Sequence, residues 1–190
     1  IVDKLLSYSR PSKRQGALPV VNLRRVVGDT LLLVEHELNS KRLKATTDFR
    51  ETLEVRIDAR ELQQVLVNLL VNAAQASSEG GRIEIGTRDW DTRGVVLSVR
   101  DHGQGIAPEH LKRVFDPFFT TKKSGGTGLG LSVSIGLIQG YGGDIKARSN
   151  TGQGATFEVY LLTEPVFADR SDVDLDEFVT IPARSVASQR

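Results

Sequence analysis

Residues 61–77 read ELQQVLVNLLVNAAQAS and predict a helix with an apolar side and an uncharged polar side. Apolar residues recur every three or four positions, the spacing of a helix face packed on a core: Leu62, Val65, Leu66, Leu69, Ala73 and Ala76. Carboxamides form a second row at i, i+4 and i+8: Gln64, Asn68 and Asn72. Because no charged residue lies between Glu61 and Glu79, we expect this carboxamide row to face something other than bulk water.

Carboxamides in such a row have a specific chemical use. Their carbonyl oxygens coordinate Mg²⁺, and their NH₂ groups donate hydrogen bonds to phosphate oxygens. They do so without placing negative charge beside a polyphosphate. The other interpretation is a row of amides satisfied by neighbouring backbone groups, and the helix alone does not separate the two.

A second pattern ends a predicted strand in a carboxylate. In VVLSVRDHGQGI, residues 95–106, Asp101 is followed by Gly103 and Gly105. A carboxylate at a strand end can accept a hydrogen bond from an exocyclic amine such as that of adenine, and glycines let the backbone approach a ligand closely. An ordinary Asp-Gly turn would give the same pattern.

A third pattern, RVFDPFFTTKKSGG at residues 113–126, places three aromatic rings and three phosphate-compatible side chains in one loop. We expect the rings to anchor the loop, since exposed rings are costly. The hydroxyls and the ammonium group suit phosphate. These residues are Phe115, Phe118, Phe119, Thr120, Thr121 and Lys122.

A fourth pattern, GGTGLGLSVSIGLIQGYGG at residues 125–143, leads from glycines directly into an apolar helix. Free backbone N–H groups at a helix N-terminus favour an anion. A Walker A loop does not fit, because no glycine here is followed by Lys-Ser or Lys-Thr. A Rossmann fingerprint read from Gly126 and Gly128 puts Leu131 where its third glycine belongs.

The composition excludes several kinds of function. The chain has 190 residues, a formal net charge of +1 and no cysteine. Without cysteine there is no disulfide, thiolate metal site or cysteine nucleophile. The charge balance gives no reason to expect nucleic acid or a membrane surface as a partner. No apolar run approaches the roughly 20 residues that span a bilayer.

The order of predicted elements indicates an α/β fold (more narrowly α+β), in which helices cover one mixed, mainly antiparallel sheet as a two-layer sandwich. We predict helices over residues 22–42, 58–77, 108–114 and 128–141. We predict strands over residues 44–49, 52–57, 82–87, 95–100, 143–149 and 155–162.

The predicted domain spans residues 18–163. Residues 1–11 are the expected end of a helix that belongs to another structural unit, and residues 12–17 are a linker. Residues 164–190 combine scattered apolar residues with an acidic run, and we expect an irregular, solvated tail.

Taken in order, the four patterns resemble the four nucleotide-binding boxes of the catalytic domain of sensor histidine kinases, in the Bergerat-fold ATPase group. The resemblance covers residues 18–162. The stretches FDPFFTTK and GTGLGLS look most like those of nitrogen- and dicarboxylate-sensing two-component kinases. The leading LLSYSRP resembles the end of a dimerisation helix.

The resemblance implies an ATP-dependent protein-histidine kinase that uses ATP and Mg²⁺. It implies that the γ-phosphoryl group goes to a histidine on the protein's own dimerisation domain, which lies largely outside this chain. It further implies a response regulator as partner, a homodimeric parent protein, and a cytoplasmic position as part of a membrane-anchored sensor. Neither nucleic acid nor direct membrane contact is expected for this piece.

The same resemblance assigns roles to matching residues. Asn68 and Asn72 are the expected metal ligands. The expected catalytic residues are Asn68 and Lys122, and Asp101 is the expected contact of the adenine amine. Around the base it implies Gly103, Gly105, Ile106, Leu131 and, through water, Thr156. In the loops that close over the phosphates it implies Phe119, Thr121, Lys122, Gly126, Thr127, Gly128, Leu129 and Gly130.

Two positions depart from the resemblance. Many relatives have Glu where this chain has Gln64. An amide cannot act as a general base. A carboxylate-assisted mechanism therefore does not carry over to that position. VEHELNSK, around His36, is similar to a phosphoacceptor box, but Lys41 stands where that box has proline. We therefore expect little autophosphorylation of the isolated chain. His102 is expected to point outward and His110 to lie on a helix surface.

Three other functions stay open at this stage. One is an ATP-driven conformational clamp of the same fold group, which would rely on a catalytic carboxylate in the first motif helix. The second is a serine-kinase regulator of this fold. The third is a non-catalytic module that binds nucleotide or a partner protein.

Overall fold

A five-stranded sheet carries the helices on one of its faces. The computed structural model describes residues 18–50, 53–122 and 126–164. The sheet has the strand order β2-β4-β5-β7-β6, and a separate two-stranded ribbon pairs β1 with β3. The strands are β1 (Val20–Asn22), β2 (Lys44–Asp48), β3 (Glu54–Arg56), β4 (Arg82–Trp90), β5 (Gly94–Asp101), β6 (Asp144–Ser149) and β7 (Ala155–Leu162).

The pairing confirms the predicted two-layer α/β architecture. Only β2 runs parallel to its neighbour, with Lys44 opposite Arg82, and the other pairs in the sheet are antiparallel. The helices are α1 (Leu23–Leu33), α2 (Glu35–Ser40), α3 (Ala59–Ala76), α4 (Pro108–Leu111) and α5 (Gly130–Gln139). None of the described helices combines the length and the apolar character needed to cross a membrane.

Alternation along each strand divides the sheet into a core face and an outer face. Side chains such as Ile83, Ile85, Leu97, Val99, Phe157 and Val159 point into the core together with the buried stripe of α3. That stripe includes the predicted Leu62, Val65, Leu66, Leu69 and Ala73. We call the opposite side the outer face; its side chains alternate with the core residues and include Arg88, Arg100, Lys146, Arg148, Glu158 and Tyr160.

Several predicted boundaries need correction. The helix predicted over residues 22–42 is two helices that meet at Val34, whose φ of −98° and ψ of 8° depart from helical values, and the second helix ends at Ser40. The strand predicted over 52–57 is reduced to β3, and its partner β1 was not predicted. The helix predicted over 108–114 ends at Leu111, and the one predicted over 128–141 begins at Gly130. Predictions for residues 1–17 and for most of the tail lie outside the described residues.

Helix α3 is held at its N-terminus by side chains from two parts of the chain. The Asp58 carboxylate accepts hydrogen bonds from the backbone N–H groups of Arg60 and Glu61, which is the predicted cap. The Tyr141 hydroxyl accepts from the Asp58 backbone N–H at 3.2 Å and donates to the Glu61 carboxylate at 2.8 Å. The start of α3 is therefore tied to the segment that follows α5.

The C-terminus of α3 is held by a single lysine. Lys41 Nζ donates to the backbone carbonyls of Ala74, Gln75 and Ser77 at 2.9, 2.9 and 3.0 Å. These carbonyls lie at the negative end of the helix dipole, where a cation is favourable. The ammonium group thus satisfies three acceptors at the helix end nearest to the Asp101 loop.

We expect Lys41→Met to lower the free energy of unfolding by about 1–2 kcal/mol, because the three carbonyls lose a charged donor while the aliphatic stem is kept. Lys44→Met is the matched control, since Lys44 is exposed and makes no side-chain hydrogen bond to the described residues. Urea denaturation followed by circular dichroism measures both variants. Equal stability of the two variants would show that the contact contributes nothing.

Candidate functional site

Helices α3 and α5 meet at the first carboxamide of the predicted row. Asn68 Nδ2 donates to the Gly130 carbonyl at 3.2 Å and to Ser134 Oγ at 3.1 Å. No described residue donates a hydrogen bond to Asn68 Oδ1. The NH₂ group of Asn68 is therefore satisfied by one backbone carbonyl and one hydroxyl of α5, while its carbonyl oxygen is available to a ligand.

One turn further along α3, a lysine from the loop reaches the second carboxamide. Lys122 Nζ donates to Asn72 Oδ1 at 2.9 Å and also contacts Gln75 Oε1 closely. Partial removal from water lowers the pKa of the Lys122 ammonium group. Gln75 was not predicted, although it lies at i+3 from Asn72 and thus beside it on the helix surface.

Asp101 is buried at the end of β5 and is 3% exposed. Its Oδ1 accepts hydrogen bonds from the backbone N–H groups of Gly103 at 2.9 Å and Ala155 at 3.3 Å. No other described residue donates to Oδ2. Burial raises the pKa of the Asp101 carboxyl, and the hydrogen bonds from backbone N–H groups together with the nearby His102 oppose this shift only in part. The result is a desolvated acceptor with one oxygen held and one free.

The loop after Asp101 packs its backbone directly on two other backbones. A Cβ at Gly103 would lie 2.1 Å from the carbonyl oxygen of Ala76, at the end of α3. Gly105 has φ +70°, and a Cβ there would lie 2.1 Å from the Asn150 carbonyl oxygen. Only glycine fits either position, so these residues set how closely the Asp101 loop approaches α3.

The glycine-rich segment joins the loop to the start of α5. Gly128 has φ +67°, and a Cβ on it would lie 2.3 Å from the Phe118 carbonyl carbon. The helix begins at Gly130 with Leu129 as N-cap residue and with no side-chain cap. Leu129 N–H donates to Thr127 Oγ1 at 3.4 Å, and a Cβ on Gly126 would lie 2.5 Å from Thr120 Oγ1. The first-turn N–H groups of α5 thus lie beside Asn68.

The aromatic residues of the loop behave differently from one another. Phe115 packs edge-on against Phe157, with ring centroids 6.3 Å apart. Phe119 lies against the Arg113 guanidinium group, 4.7 Å from its ring centroid. Phe118 is 68% exposed and has φ +66°. The expectation that all three rings anchor the loop is therefore wrong for Phe118.

The remaining predicted residues differ in how far they are buried and in which part of the molecule they contact. Ile106 and Leu131 are half-buried and pack on the core, whereas Thr121 is exposed. Gln64 and His36 are exposed as well. His102 turns towards the outer face, where its Nε2 lies 3.0 Å from Glu84. The His110 ring packs near that of Phe119, with centroids 5.7 Å apart.

The placement of Thr156 beside the base is corrected by the strand register. Thr156 pairs with Arg100 and Arg148, and its side chain lies on the outer face with theirs. Its neighbour Ala155 faces the core and donates its N–H to Asp101. A shift of one residue along a strand moves the side chain to the other face, so the sequence pattern selected the wrong neighbour.

Comparison with known proteins identifies this arrangement. The family described as histidine kinase-, DNA gyrase B-, and HSP90-like ATPase matches residues 57–165, more than half of the chain. The catalytic domain of the histidine kinase ThkA has a TM-score of 0.70 and 32% identity, over 79% of this chain and 98% of that one.

The chain belongs to the histidine kinase-, DNA gyrase B- and HSP90-like ATPase family, as a histidine kinase catalytic domain.

Two other relatives extend this finding. The sensor histidine kinase ZraS of Salmonella typhimurium is 38% identical over 173 residues, which cover 90% of this chain and 36% of ZraS. The chain thus spans about a third of the length of that curated relative. Full-length ShkA, solved in complex with AMPPNP, has a TM-score of 0.73 and 26% identity, over 88% of this chain and 36% of ShkA. ThkA has also been solved with the response regulator TrrA, at 30% identity and a TM-score of 0.69 over 86% of this chain and 46% of ThkA.

As a histidine kinase catalytic domain, the chain binds ATP. The site contains features that fit such a ligand: a buried carboxylate oxygen, two loops in which a Cβ would collide with backbone, and an ammonium group on the carboxamides of α3. Among the described residues, no three His, Cys, Asp or Glu side chains cluster as metal ligands.

We expect Gly103→Ala to destabilise the histidine kinase catalytic domain by about 2–3 kcal/mol, because the new methyl group forces the Asp101 loop away from the end of α3. Gly136→Ala is the matched control: it lies on α5 with nothing within 4 Å of an added Cβ. This control should gain up to about 1 kcal/mol from higher helix propensity. Thermal unfolding of both variants tests the contrast, and an unchanged melting temperature for Gly103→Ala would contradict the packing described.

Proposed function

We propose that this chain is the nucleotide-binding part of a two-component sensor histidine kinase. It binds Mg-ATP and donates the γ-phosphoryl group to a histidine on a dimerisation domain of the same parent protein. The proposal rests on one observation above all: along the same side of α3, Asn68, Asn72 and the Asp101 loop follow each other in line. Asn68 and Ala76 are eight residues apart, or about 12 Å of helix, and this suits an extended nucleoside triphosphate.

The base end of the nucleotide is assigned to the Asp101 loop. The free oxygen of Asp101 accepts a hydrogen bond from the adenine amine, and the backbone of Gly103 and Gly105 forms the pocket wall. Ile106 and Leu131 supply apolar surface for the ring. This assignment uses a carboxylate whose other oxygen is held by two backbone donors, so its orientation is set before the ligand arrives.

The phosphate end is assigned to the junction of α3, α5 and the loop. Magnesium supplies positive charge that neutralises the phosphate oxygens. Asn68 would offer its carbonyl oxygen to that ion, and Asn72 would do so once Lys122, which now donates to Asn72 Oδ1, turns to the phosphates. Lys122 and the backbone N–H groups of residues 126–131 hold the phosphates, as a helix start and a cation do for anions. The domain's contribution to phosphoryl transfer is then positioning and charge neutralisation, with catalytic roles for Asn68 and Lys122.

The names of two relatives support the partners that we propose for the parent protein. ZraS is a sensor histidine kinase, and ThkA has been solved with a response regulator. We propose a response regulator, a homodimeric parent and a membrane-anchored sensor whose cytoplasmic part contains this domain. Residues 1–11 would be the end of its dimerisation helix and residues 12–17 the linker.

The chemistry of the first motif helix favours a kinase over an ATP-driven clamp. At the position where a clamp would use a carboxylate to activate water, this chain has Gln64, an exposed amide. An amide cannot remove a proton from water. A non-catalytic module is disfavoured because Lys122, the carboxamides and the glycine junction are all present and in contact.

Calorimetric titration with a non-hydrolysable ATP analogue and Mg²⁺ provides the first test of the proposal. We expect saturable binding, slow hydrolysis of ATP, and phosphorylation of a separately supplied dimerisation domain of the parent but not of His36. Heat of binding without transfer to that domain would support the non-catalytic module. Rapid hydrolysis without a phosphorylated histidine would support the clamp.

We expect Asn68→Asp to weaken binding of Mg-ATP by about tenfold, or roughly 1.4 kcal/mol, because it places a negative charge beside the triphosphate. It also removes the donor to the Gly130 carbonyl. Adenosine, which has no phosphates, serves as the control ligand, and its affinity should stay within about twofold. An unchanged affinity for Mg-ATP in the folded variant would contradict the role of Asn68.

We expect Asp101→Asn to reduce the preference for ATP over GTP by about tenfold. The Asn carbonyl oxygen can keep both backbone hydrogen bonds, so its NH₂ group faces the base and opposes the adenine amine. The pH dependence differs as well: burial raises the pKa of Asp101, so wild-type adenosine affinity falls as pH drops below that raised pKa. The variant, which has no carboxyl at this position, should lack this fall. Equal discrimination and equal pH profiles would remove Asp101 from base recognition.

A further inference from the structure

The outer face of the sheet has a buried ion cluster at its centre. Glu158 is 7% exposed, and its carboxylate accepts hydrogen bonds from Arg88 at 3.2 Å, Arg148 at 2.6 Å and the Tyr160 hydroxyl at 3.1 Å. None of the described helices packs on this face, because the buried side chains of the long helices belong to the core on the other side. A fully solvated sheet face rarely buries a carboxylate to this degree.

An aromatic pair lies beside this cluster, and basic groups cover it. The Trp90 and Tyr160 rings meet edge to face, with centroids 5.0 Å apart. Lys146 Nζ lies 4.8 Å from the Tyr160 ring centroid, and the Arg93 guanidinium group lies 4.3 Å from that of Trp90. Aromatic and arginine side chains together are the groups that contribute most at protein interfaces.

A cavity of about 520 Å³ opens in the same face. Its floor includes Gly86 and Ser98, which are too small to fill the space, and its rim includes Arg88 and Arg100. Arg100 forms no hydrogen bond or ion pair with any described residue, and Lys146 has no carboxylate partner among them. The outer face carries more basic than acidic side chains. The basic ones are Lys44, Arg82, Arg88, Arg100, Lys146 and Arg148. The acidic ones are Asp48, Glu84, Asp144 and Glu158.

The chain itself contains a segment of the opposite charge. Residues 169–177 read DRSDVDLDE and contain five carboxylates and one arginine. In an extended segment, Asp172, Asp174 and Asp176 would share one side at a spacing of about 6.6 Å, the repeat of side chains along one face of a strand. The ten residues from Leu162 to Asp172 reach up to about 33 Å, whereas the eight residues of β7 span about 26 Å.

We propose that the acidic segment, residues 169–177, docks on the outer face of the sheet, with its aspartates on the basic side chains around the cavity. Attachment through a short connection raises its effective concentration at this face to the millimolar range, so weak ion pairs suffice to hold it. The outer face is then an intramolecular docking surface, on the side of the sheet away from the nucleotide.

Carbodiimide cross-linking of the full chain tests the proposal directly, because this reagent joins carboxylates to lysine amines that are in contact. We expect peptides in which a tail aspartate is joined to Lys146 or Lys44, the two lysines of the outer face. Lys41, Lys112 and Lys122 lie elsewhere and serve as internal controls. Mixing chains that contain natural and heavy nitrogen distinguishes links within one chain from links between two copies.

Charge reversal supplies the matched pair of variants. Arg100→Glu should reduce the yield of the outer-face cross-links about threefold, as expected for loss and reversal of one exposed ion pair. Arg60→Glu, an exposed arginine on α3, should leave the yield unchanged. Both positions are exposed, so both variants should fold, and circular dichroism checks this. Trp90, the only tryptophan of the chain, should change its emission when Asp172, Asp174 and Asp176 are all replaced by Asn.

The results that overturn the proposal are equally specific. Tail cross-links spread evenly over Lys41, Lys112 and Lys122, or none at all, would show that the segment does not dock on the outer face. Links exclusively between heavy and natural chains would assign the face to a second copy. Equal yields for Arg100→Glu and the wild type would show that the basic charge does not hold the segment.

Discussion

The architecture depends on the rotational setting of α3. One side of this helix supplies much of the core, and the neighbouring side supplies the carboxamides of the site. A rotation by one residue, about 100°, would carry amides into the core and leave buried polar groups without partners, at a cost of a few kcal/mol each. Burial of Leu62, Leu66 and Leu69 therefore also decides where Asn68 and Asn72 point. The packing that buries the apolar side of α3 therefore also fixes the direction of its carboxamides.

Both ends of α3 are held by groups that are distant in the chain. Lys41 fixes the C-terminal carbonyls, and Tyr141 links the N-terminal cap to the segment after α5. Between these ends, Asn68 joins α3 to the first turn of α5. The two helices that carry the candidate phosphate-binding residues are thus held in register by a few hydrogen bonds. The glycine contacts add a second restraint, since Gly103 brings the Asp101 loop directly onto the last turn of the same helix.

The positions of the candidate site residues were predictable where they depend on neighbours in the chain. Asn68 and Asn72 could be recognised because helical spacing alone puts them on one side, and Asp101 because a strand end and two glycines follow each other in the chain. Gln75 was missed because its role depends on Lys122, which comes from a loop 47 residues away. Thr156 was placed wrongly because the two faces of a strand differ by a single step, and only the pairing with β5 and β6 shows which residue faces Asp101.

The sequence by itself determined the period of each element, the residues that must be buried, and the glycines whose missing Cβ permits backbone contact. These properties depend on neighbours within a few positions. Only the tertiary structure decided that α1 and α2 are separate, that β1 pairs with β3, and that Lys122 spans the groove to α3. It also decided that a charged sheet face lies on the side of the sheet away from α3. The physical reason is that burial and hydrogen bonding between distant segments are properties of the packed chain, and local propensity does not contain them.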